Sequence, residues 1–257
     1  MTNPRQLNPQ VIVDSTNSPP PMASFVFKQV RAALGTMLKN SVDTVIDLVY
    51  PPLCTHCLRV GAPLCKHCQA EIVPLTQQGS EPPIEFIEGY VGIGSHSGPL
   101  RSSIHALKYE KDQRQAEVLG ALLANRIKVS QWTFDMIIPV PSDINRLKER
   151  GYNQAERIAH FLSVHLENQT VIEALHKLHH TESQVGKTAI ERKENTKDAF
   201  AVVPQFQDII VNKSILLIDD VCTTGSTLQV CTAALRDAGV KAVYVATVSR
   251  AGIGFDS

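Results

Sequence analysis

The segment from residue 214 to residue 228 constrains the fold more than any other part of the chain. An apolar run, Ser-Ile-Leu-Leu-Ile, predicts a strand that ends on Asp219 and Asp220. The loop that follows is rich in hydroxyl groups, and it leads into a helical pattern that Ser226 opens and Gly239 closes. A buried strand joined to a helix through such a loop is the repeating unit of parallel α/β sheets.

The region on the N-terminal side of this segment, and the short region after it, show the same alternation. Apolar runs predict further strands at residues 86–93, 135–141, 171–175 and 242–248. Helical periodicity predicts helices at residues 100–127, 153–166 and 226–238. The expected fold class is therefore α/β, with a parallel sheet flanked by helices.

The hydroxyl-rich loop has the composition of a phosphate site. Backbone N–H groups at a helix N-terminus bind phosphate oxygens together with hydroxyl side chains, and carboxylates accept hydrogen bonds from sugar hydroxyls. The loop therefore predicts a sugar phosphate site. A Walker loop is excluded because Gly-Lys-Ser/Thr is missing, and Gly92, Gly94 and Gly98 lack the spacing of a dinucleotide fingerprint. The alternative is an ordinary strand-to-helix turn. It is less favoured because two aspartates at the buried sheet edge, without a cation or hydroxyl partner, would cost free energy.

Four of the six cysteines lie close together, as Cys54-x2-Cys57-x7-Cys65-x2-Cys68. Each pair has the spacing that lets both thiolates contact one ion, and four sulfurs complete a tetrahedral zinc shell without an open position. The spacing predicts a structural Zn²⁺ site in a small zinc-ribbon-like module. The alternative is a disulfide pair or a cluster of free thiols, and His56 or His67 could replace a cysteine ligand.

The overall charge limits the partners that the whole molecule can attract. The 257 residues include 25 Lys+Arg and 25 Asp+Glu, so nucleic acid or an anionic membrane must be met by a local patch. The chain does not begin with a secretion signal, and no apolar run approaches the roughly 18 residues of a membrane span. We therefore expect a cytoplasmic protein without a membrane span, and in that compartment clustered cysteines are metal ligands more often than disulfides.

The pattern along the chain predicts four parts. They are a disordered leader at residues 1–22, an amphipathic helix at 23–50, a four-cysteine zinc-binding module at 51–80 and the α/β domain at 85–257. The helix is expected to pack on its own protein, and contact with a membrane surface or a partner helix is the alternative.

These motifs resemble a known family. The run Asp219-Asp220-x3-Thr224-Gly225-Ser226-Thr227 after a strand is similar to the phosphoribosyl pyrophosphate (PRPP) motif of type I phosphoribosyltransferases. With the N-terminal four-cysteine knuckle, the chain is identified as a member of the ComF/GntX branch, and the resemblance covers about residues 47–250. It includes Leu107-Lys108-Tyr109, then Pro139-Val-Pro141 with Arg146 and Arg150-Gly151-Tyr152-Asn153-Gln154, then Thr181-x2-Gln184-x7-Arg192-x2-Asn195 before Ala199-Phe200. The resemblance implies a type I phosphoribosyltransferase fold for residues 85–257.

The resemblance also implies the roles of the site residues. Those that would hold the 5′-phosphate of PRPP are Thr223, Thr224, Gly225, Ser226 and Thr227. Asp219 and Asp220 would hold the ribose hydroxyls and, with Arg150, carry the catalysis, while Gly151 lies beside Arg150 in the loop facing the pyrophosphate. Lys108, Arg146 and Arg192 would complete this clamp, or are solvated surface charges. A Mg²⁺ ion would bind mainly through the oxygens of the ligand and water.

Two positions depart from the family pattern. His179 stands where arginine is usual, and Lys187 replaces an apolar residue. A phosphate contact by His179 would weaken above its pKa.

Residues 176–197 carry five Lys/Arg against three Glu, so this segment would close over PRPP as a flap or contact the phosphates of nucleic acid.

The functional expectation has two forms. The first is a PRPP-binding, phosphoribosyl-transferring protein that acts on single-stranded DNA in natural transformation or in the use of external DNA, as the resemblance implies. Its partners would include a competence helicase or a DNA-processing protein. The alternative is a non-catalytic PRPP or nucleotide sensor that serves as an adaptor for single-stranded DNA or competence proteins. A purine or pyrimidine salvage enzyme is less favoured because the zinc module has no task in that chemistry, and the sequence identifies no acceptor pocket.

Overall fold

The computed structural model describes residues 51–75, 82–167, 169–178 and 199–252. The chain divides into two units after Pro51, and the fold described here belongs to the second unit. The predictions for residues 1–22 and 23–50, and those for His179, Lys187 and Arg192, lie outside the described residues.

The centre of the fold is a sheet of four parallel strands in the order β1-β6-β5-β2. The strands are β1 (Gly89–Ser95), β2 (Met136–Pro139), β5 (Ser214–Cys222) and β6 (Ala242–Arg250). In the register, Met136 pairs with Ile215 and Asp219 pairs with Thr247. The predicted parallel α/β sheet is confirmed, and β5 is longer than the pattern predicted because it contains Asp219 and Asp220.

Alternation along the strands divides the core into two layers, one on each face of the sheet. Ile215 and Leu217 pack into one buried cluster with Leu228 of the helix after β5. Leu216 and Ile218 point to the other face, where they join Leu119 and residues of two long helices. Both faces are therefore covered, as a sheet with apolar residues at consecutive positions requires.

The helices of the described residues surround this sheet. They are α1 (Lys66–Ala70), α2 (Gly98–Tyr109), α3 (Arg114–Ser130), α4 (Ile144–Arg150), α5 (Gln154–His165), α6 (Gln207–Ile210) and α7 (Ser226–Asp237). The single helix predicted at residues 100–127 is wrong, because the chain turns between α2 and α3 at Lys111, whose φ is +57°. No apolar residue lies between Tyr109 and Ala116, so nothing holds that stretch on the core as a helical turn.

A separate two-stranded antiparallel sheet lies against α7. Its strands are β3 (Leu175–Lys177) and β4 (Phe200–Val202), and Lys177 pairs with Phe200. The strand predicted at residues 171–175 is only partly present, since Val171 forms one isolated bridge to Ile137 of β2 and the paired residues begin at Leu175.

The four-cysteine module packs directly on the α/β domain. Buried Leu64 lies with the cysteines, and this cluster contacts Val118 and Leu122 of α3. The buried Gln115 side chain donates to the Pro63 carbonyl at 3.1 Å, and a His56 ring nitrogen lies 3.1 Å from the Ser102 hydroxyl of α2. The module is therefore attached to the two helices that precede β2.

Two glycines of β1 allow the chain that leaves the module to cross the sheet edge. The Ser95 amide donates to the Val73 carbonyl at 2.9 Å. A Cβ atom at Gly92 would lie 2.6 Å from the Leu75 side chain, and a Cβ atom at Gly94 would collide with the Val73 carbonyl oxygen. These glycines serve close packing, which agrees with the exclusion of a dinucleotide fingerprint.

Among the described residues, no helix is long and apolar enough to cross a membrane.

Candidate active site and metal centre

A cleft with a volume of about 650 Å³ lies beyond the carboxyl ends of the parallel strands. This edge is where α/β sheets bind ligands, because the loops that leave the strands converge there. The lining comes from the ends of β1, β2 and β5, from α2, α4, α5 and the start of α7, and from the β3–β4 pair. The residues of the lining with ionisable or hydroxyl side chains are His96, Lys108, Ser142, Asp143, Arg146, Arg150, Lys177, Asp219, Asp220, Thr223 and Thr227.

The two aspartates of β5 face a lysine across the cleft. Lys108, at the end of α2, donates to an Asp220 carboxylate oxygen at 2.9 Å, and both side chains are mostly buried. The Asp220 backbone amide donates to Asp219 Oδ1 at 2.8 Å. Lys108 therefore holds one carboxylate, and the break after Tyr109 gives Lys108 its place at a helix end.

Burial raises the pKa of Asp219 to about 7, and the neighbouring charge of Asp220 adds to this effect. The backbone hydrogen bond from Asp220 and the charge of Lys108 oppose the rise. At neutral pH the pair therefore exists in two protonation states, and a ligand that favours one of them changes the proton count.

The loop at the start of α7 is shaped by Gly225. Its φ is +86°, and an added Cβ would lie 3.2 Å from both Pro82 and Ile84, so only glycine fits without strain. The Thr224 and Ser226 hydroxyls lie 2.6 Å apart, and the Ser226 amide contacts Thr224 Oγ1 at 3.3 Å. The helix therefore begins with a turn in which hydroxyl groups and backbone N–H groups stand together.

Another part of the lining is basic and is held by contacts with its neighbours. Arg150 ends α4 with only 8% of its surface exposed, and its guanidinium carbon lies 5.2 Å from the centre of the Tyr109 ring. The Asn153 side chain caps α5 by accepting from the Ala155 amide at 3.1 Å, and it donates to the Val140 carbonyl at 3.0 Å. The Tyr152 hydroxyl donates to the Leu107 carbonyl, next to Lys108.

The four cysteines of the module form a second site. Their sulfur atoms lie within 4.8 Å of one another, and none of the four is in a disulfide. Cys54 and Cys68 sulfurs are 3.7 Å apart, and those of Cys57 and Cys65 are 3.6 Å apart. A tetrahedral shell with Zn–S bonds of about 2.3 Å requires S–S distances of about 3.8 Å. The four thiols can therefore hold a metal ion such as zinc, and their separations exceed the S–S length of about 2.05 Å in a disulfide.

Comparison with protein families decides the affiliation. Residues 106–254, which make up more than half of the chain, match the phosphoribosyl transferase domain family. The chain belongs to this family. The resemblance inferred from the motifs is confirmed, and so is the predicted type I phosphoribosyltransferase fold.

Two curated relatives place the chain in the ComF branch. Competence protein F of Haemophilus influenzae is 32% identical over 164 residues, which cover 62% of this chain and 71% of that protein. DNA utilization protein YhgH of Escherichia coli K12 is 31% identical over 160 residues, which cover 60% of this chain and 69% of that protein. The chain is therefore a ComF-type, phosphoribosyltransferase-like protein.

The chain also matches a solved structure, but only weakly. Glutamine PRPP amidotransferase from B. subtilis, complexed with ADP and GMP, shares 18% identity and a TM-score of 0.38. The match covers 51% of this chain and 25% of that chain, so this chain spans about a quarter of its length. With so low a TM-score, the match does not support assigning features of the amidotransferase to this chain.

The phosphoribosyltransferase cleft brings together many of the residues named from sequence. Those that line it are Lys108, Arg146, Arg150, Asp219, Asp220, Thr223 and Thr227. Thr224 and Gly225 immediately precede α7, Ser226 is its first residue, and Gly151 follows α4 with φ +85°, but these four residues do not line the cavity. Arg192 lies outside the described residues.

Sequence reasoning did not name three polar residues of the lining, which are His96, Ser142 and Asp143. His96 follows β1 and its ring nitrogen lies 2.8 Å from the Ser249 hydroxyl. Burial lowers the pKa of His96, and the charges of Lys108 and Arg101 lower it further. Lys177 pairs with Asp143 at 3.1 Å. The available signal was position, because His96 and Asp143 each follow closely on the end of a predicted strand.

Proposed function

We propose that the chain binds PRPP in the cleft and transfers its phosphoribosyl group. The observation that carries this proposal is that one cleft is lined by paired carboxylates, by threonines at the start of α7 and by two arginines of α4. A molecule with a phosphate, a diol and a pyrophosphate would match these three regions at once.

Each region has a chemical task in this proposal. The turn from Thr223 to Thr227 receives the 5′-phosphate, and Asp219 with Asp220 accepts hydrogen bonds from the ribose hydroxyls. Arg146 and Arg150 face the pyrophosphate. In the reaction, the bond between C1 and the pyrophosphate oxygen breaks, pyrophosphate leaves with the electron pair, and an acceptor nucleophile bonds to C1. The carboxylates stabilise the cationic ribose, and the arginines stabilise the leaving group.

Lys108 can form an ion pair with Asp220 or with the ligand. In the structure it pairs with Asp220. When the ribose hydroxyls reach Asp220, Lys108 is free to contact a pyrophosphate oxygen on the same side of the cleft. A Mg²⁺ ion would bind mainly through the oxygens of the ligand and water, and it would supply positive charge to the leaving group when it is bound with the ligand.

The test is incubation with PRPP, Mg²⁺ and a panel of bases, amines and single-stranded oligonucleotides, with released pyrophosphate as the readout. Asp219→Asn with Asp220→Asn should abolish both PRPP binding and pyrophosphate release. Asp237→Asn, at the exposed far end of α7, is the matched control. PRPP binding without pyrophosphate release from any acceptor would favour the sensor, and no binding by the wild type would refute the proposal.

We further propose that the metal held by the four cysteines is Zn²⁺ and that its role is structural. The sulfur shell has no open position for a substrate, and the module packs on α3 through Leu64. We also propose a cytoplasmic location, because clustered cysteines serve there as metal ligands more often than as disulfides.

We also propose that the protein acts on DNA that a cell takes up or uses, with single-stranded DNA as a direct partner and a competence helicase or DNA-processing protein as a further one. The names of the two relatives support this. The exposed face of α2 supports it physically, because Arg101, His105 and Tyr109 recur at four-residue spacing beside the cleft. Basic groups bind phosphates, and aromatic rings stack on bases.

The DNA proposal is tested by titrating a single-stranded oligonucleotide over a series of salt concentrations. Arg101→Gln with Lys111→Gln should weaken binding and reduce the salt dependence by roughly two phosphate contacts. Lys241→Gln, an exposed lysine beside the amino end of β6, is the control. An unchanged salt slope would remove α2 from the interface.

A further inference from the structure

The residues just before β1 lie against the start of α7. Pro82 and Ile84 are both buried, and a Cβ atom at Gly225 would lie 3.2 Å from a side-chain atom of each. Ile84 also belongs to the same buried cluster as Leu228 of α7. We call residues 82–85 the strap, and they cover the turn at which α7 begins.

Hydrogen bonds tie this segment to α7 at two further points. The Glu85 amide donates to Gln229 Oε1 at 2.6 Å, and the Gln229 amide donates in turn to the Gly225 carbonyl at 2.8 Å. Near the other end of the helix, Arg236 Nη2 donates to the Phe86 carbonyl at 2.8 Å. The segment is therefore fixed to α7 near both ends of the helix.

The strap itself is stiff. Pro82 and Pro83 have fixed φ angles. The Ile84 amide donates to the Pro82 carbonyl at 2.8 Å, which closes a tight turn. Because a stiff segment has few conformations to lose when it packs, it can hold a neighbouring loop in place at a low cost in free energy.

The loop that the strap covers is mostly exposed. Thr223, Thr224, Ser226 and Thr227 are exposed, and Gly225 has no side chain with which to cap α7. Glycine also leaves a given φ more readily than other residues. Gly225 is the buried residue of this loop and contacts the strap, whereas Thr223 and Thr227 line the cleft. The strap therefore supports a loop that contributes to the cleft.

We propose that the strap holds the loop of residues 223–227 in the conformation that binds the 5′-phosphate of PRPP. Ile84 and Gln229 are then positioning residues, because they act through Gly225 and not on the ligand. A loop that spends only part of its time in the binding conformation has an affinity reduced by that fraction. This inference rests on the proposed function, because it concerns the support of the same phosphate site.

The first test replaces Ile84. Ile84→Ala removes both side-chain atoms that lie near Gly225, whereas Ile84→Val retains Cγ1. The affinity for PRPP measured by calorimetry should fall about tenfold in Ile84→Ala. In Ile84→Val it should fall by less than about threefold, because the valine keeps most of the support.

Val240→Ala separates the support of the loop from general stability. Val240 is buried in the same cluster as Ile84 but lies between the end of α7 and β6. Ile84→Ala and Val240→Ala should both lower the midpoint of thermal unfolding, whereas Val240→Ala should bind PRPP as the wild type does. An equal loss of affinity in Val240→Ala would attribute the effect to lost stability and overturn the inference.

A second variant leaves the buried cluster intact. Gln229→Met removes the acceptor of the Glu85 amide, so it should weaken the binding of PRPP and of ribose 5-phosphate about threefold. The binding of inorganic pyrophosphate, which the proposed function gives to the arginines, should not change. Gln205→Met, at an exposed position, is the matched control and should change none of the three.

Two results would contradict the role of the strap, and they are distinguishable. Unchanged PRPP affinity in both Ile84→Ala and Gln229→Met would overturn this inference alone. Failure of the wild-type protein to bind PRPP would overturn the proposed function and, with it, the role of the strap.

Discussion

The cysteine module and the cleft are built in opposite ways. The metal-binding thiols are close in sequence, since Cys54 and Cys68 are 14 residues apart and the four sulfurs already lie together. The cleft depends on distant parts of the chain, since its central ion pair joins Lys108 to Asp220 across 112 residues. Local turns can bring the four thiols together, whereas the cleft forms only when the strands of the sheet are in place.

The two sites also differ in how far their structure depends on a bound ion or ligand. Four sulfurs provide a complete shell for one ion, and that ion would tie the turns of a small module whose buried apolar core is mainly Leu64. The cleft lies at the edge of a sheet whose two faces are covered by large buried apolar clusters, so its framework does not depend on a bound ion. Loss of the bound group should therefore unfold the module and only alter the protonation and pairing of the cleft.

The largest expected effect is on the module. Cys65→Ser with Cys68→Ser should release about one zinc ion per chain and lower the unfolding midpoint by roughly 10 °C, because the knuckle loses the ion that closes it. Metal analysis and calorimetry measure both. His67→Gln, which changes an exposed residue paired with Glu71, should retain the metal. If metal analysis finds no zinc in the purified wild-type protein, the zinc site is contradicted.

An intermediate effect is expected at the ion pair of the cleft. Lys108→Met should destabilise the protein by roughly 1–3 kcal/mol, because Asp220 is left mostly buried beside a second carboxyl group. Urea unfolding measures this value. Adding Asp220→Asn should recover part of the loss, as a double-mutant cycle would show. Lys111→Met is the control on the exposed turn, and an equal loss there would contradict the role of Lys108.

The smallest expected effect is a change in bound protons. With a pKa of about 7 the Asp219 carboxyl is half protonated at pH 7, and ribose hydroxyls bind best to its charged form. PRPP binding at pH 7 should therefore release about half a proton, and the affinity should fall as the pH drops below 7. Calorimetry in buffers of different ionisation enthalpy measures the release. Asp219→Asn should remove it, and an unchanged release in that variant would exclude Asp219 as its source.

The elements that sequence reasoning predicted share one property, which is that their evidence is local. The strand before Asp219 is a continuous apolar run, and the helix after it has an apolar period. The four cysteines are predicted by spacing alone. The turn at Lys111 was missed because the apolar positions on both sides of it agree with one helical period, and only the contact with the core decides where the helix stops.

The sequence by itself determined the α/β class, the family, the four-thiol cluster and the loop that begins α7, because each is recognised from patterns among residues that are close together in the chain. Only the tertiary structure decided that Lys108 meets Asp220 and that His96 and Lys177 line the cleft. The physical reason is that these relations arise where the ends of parallel strands converge, and strand order depends on packing across the whole sheet.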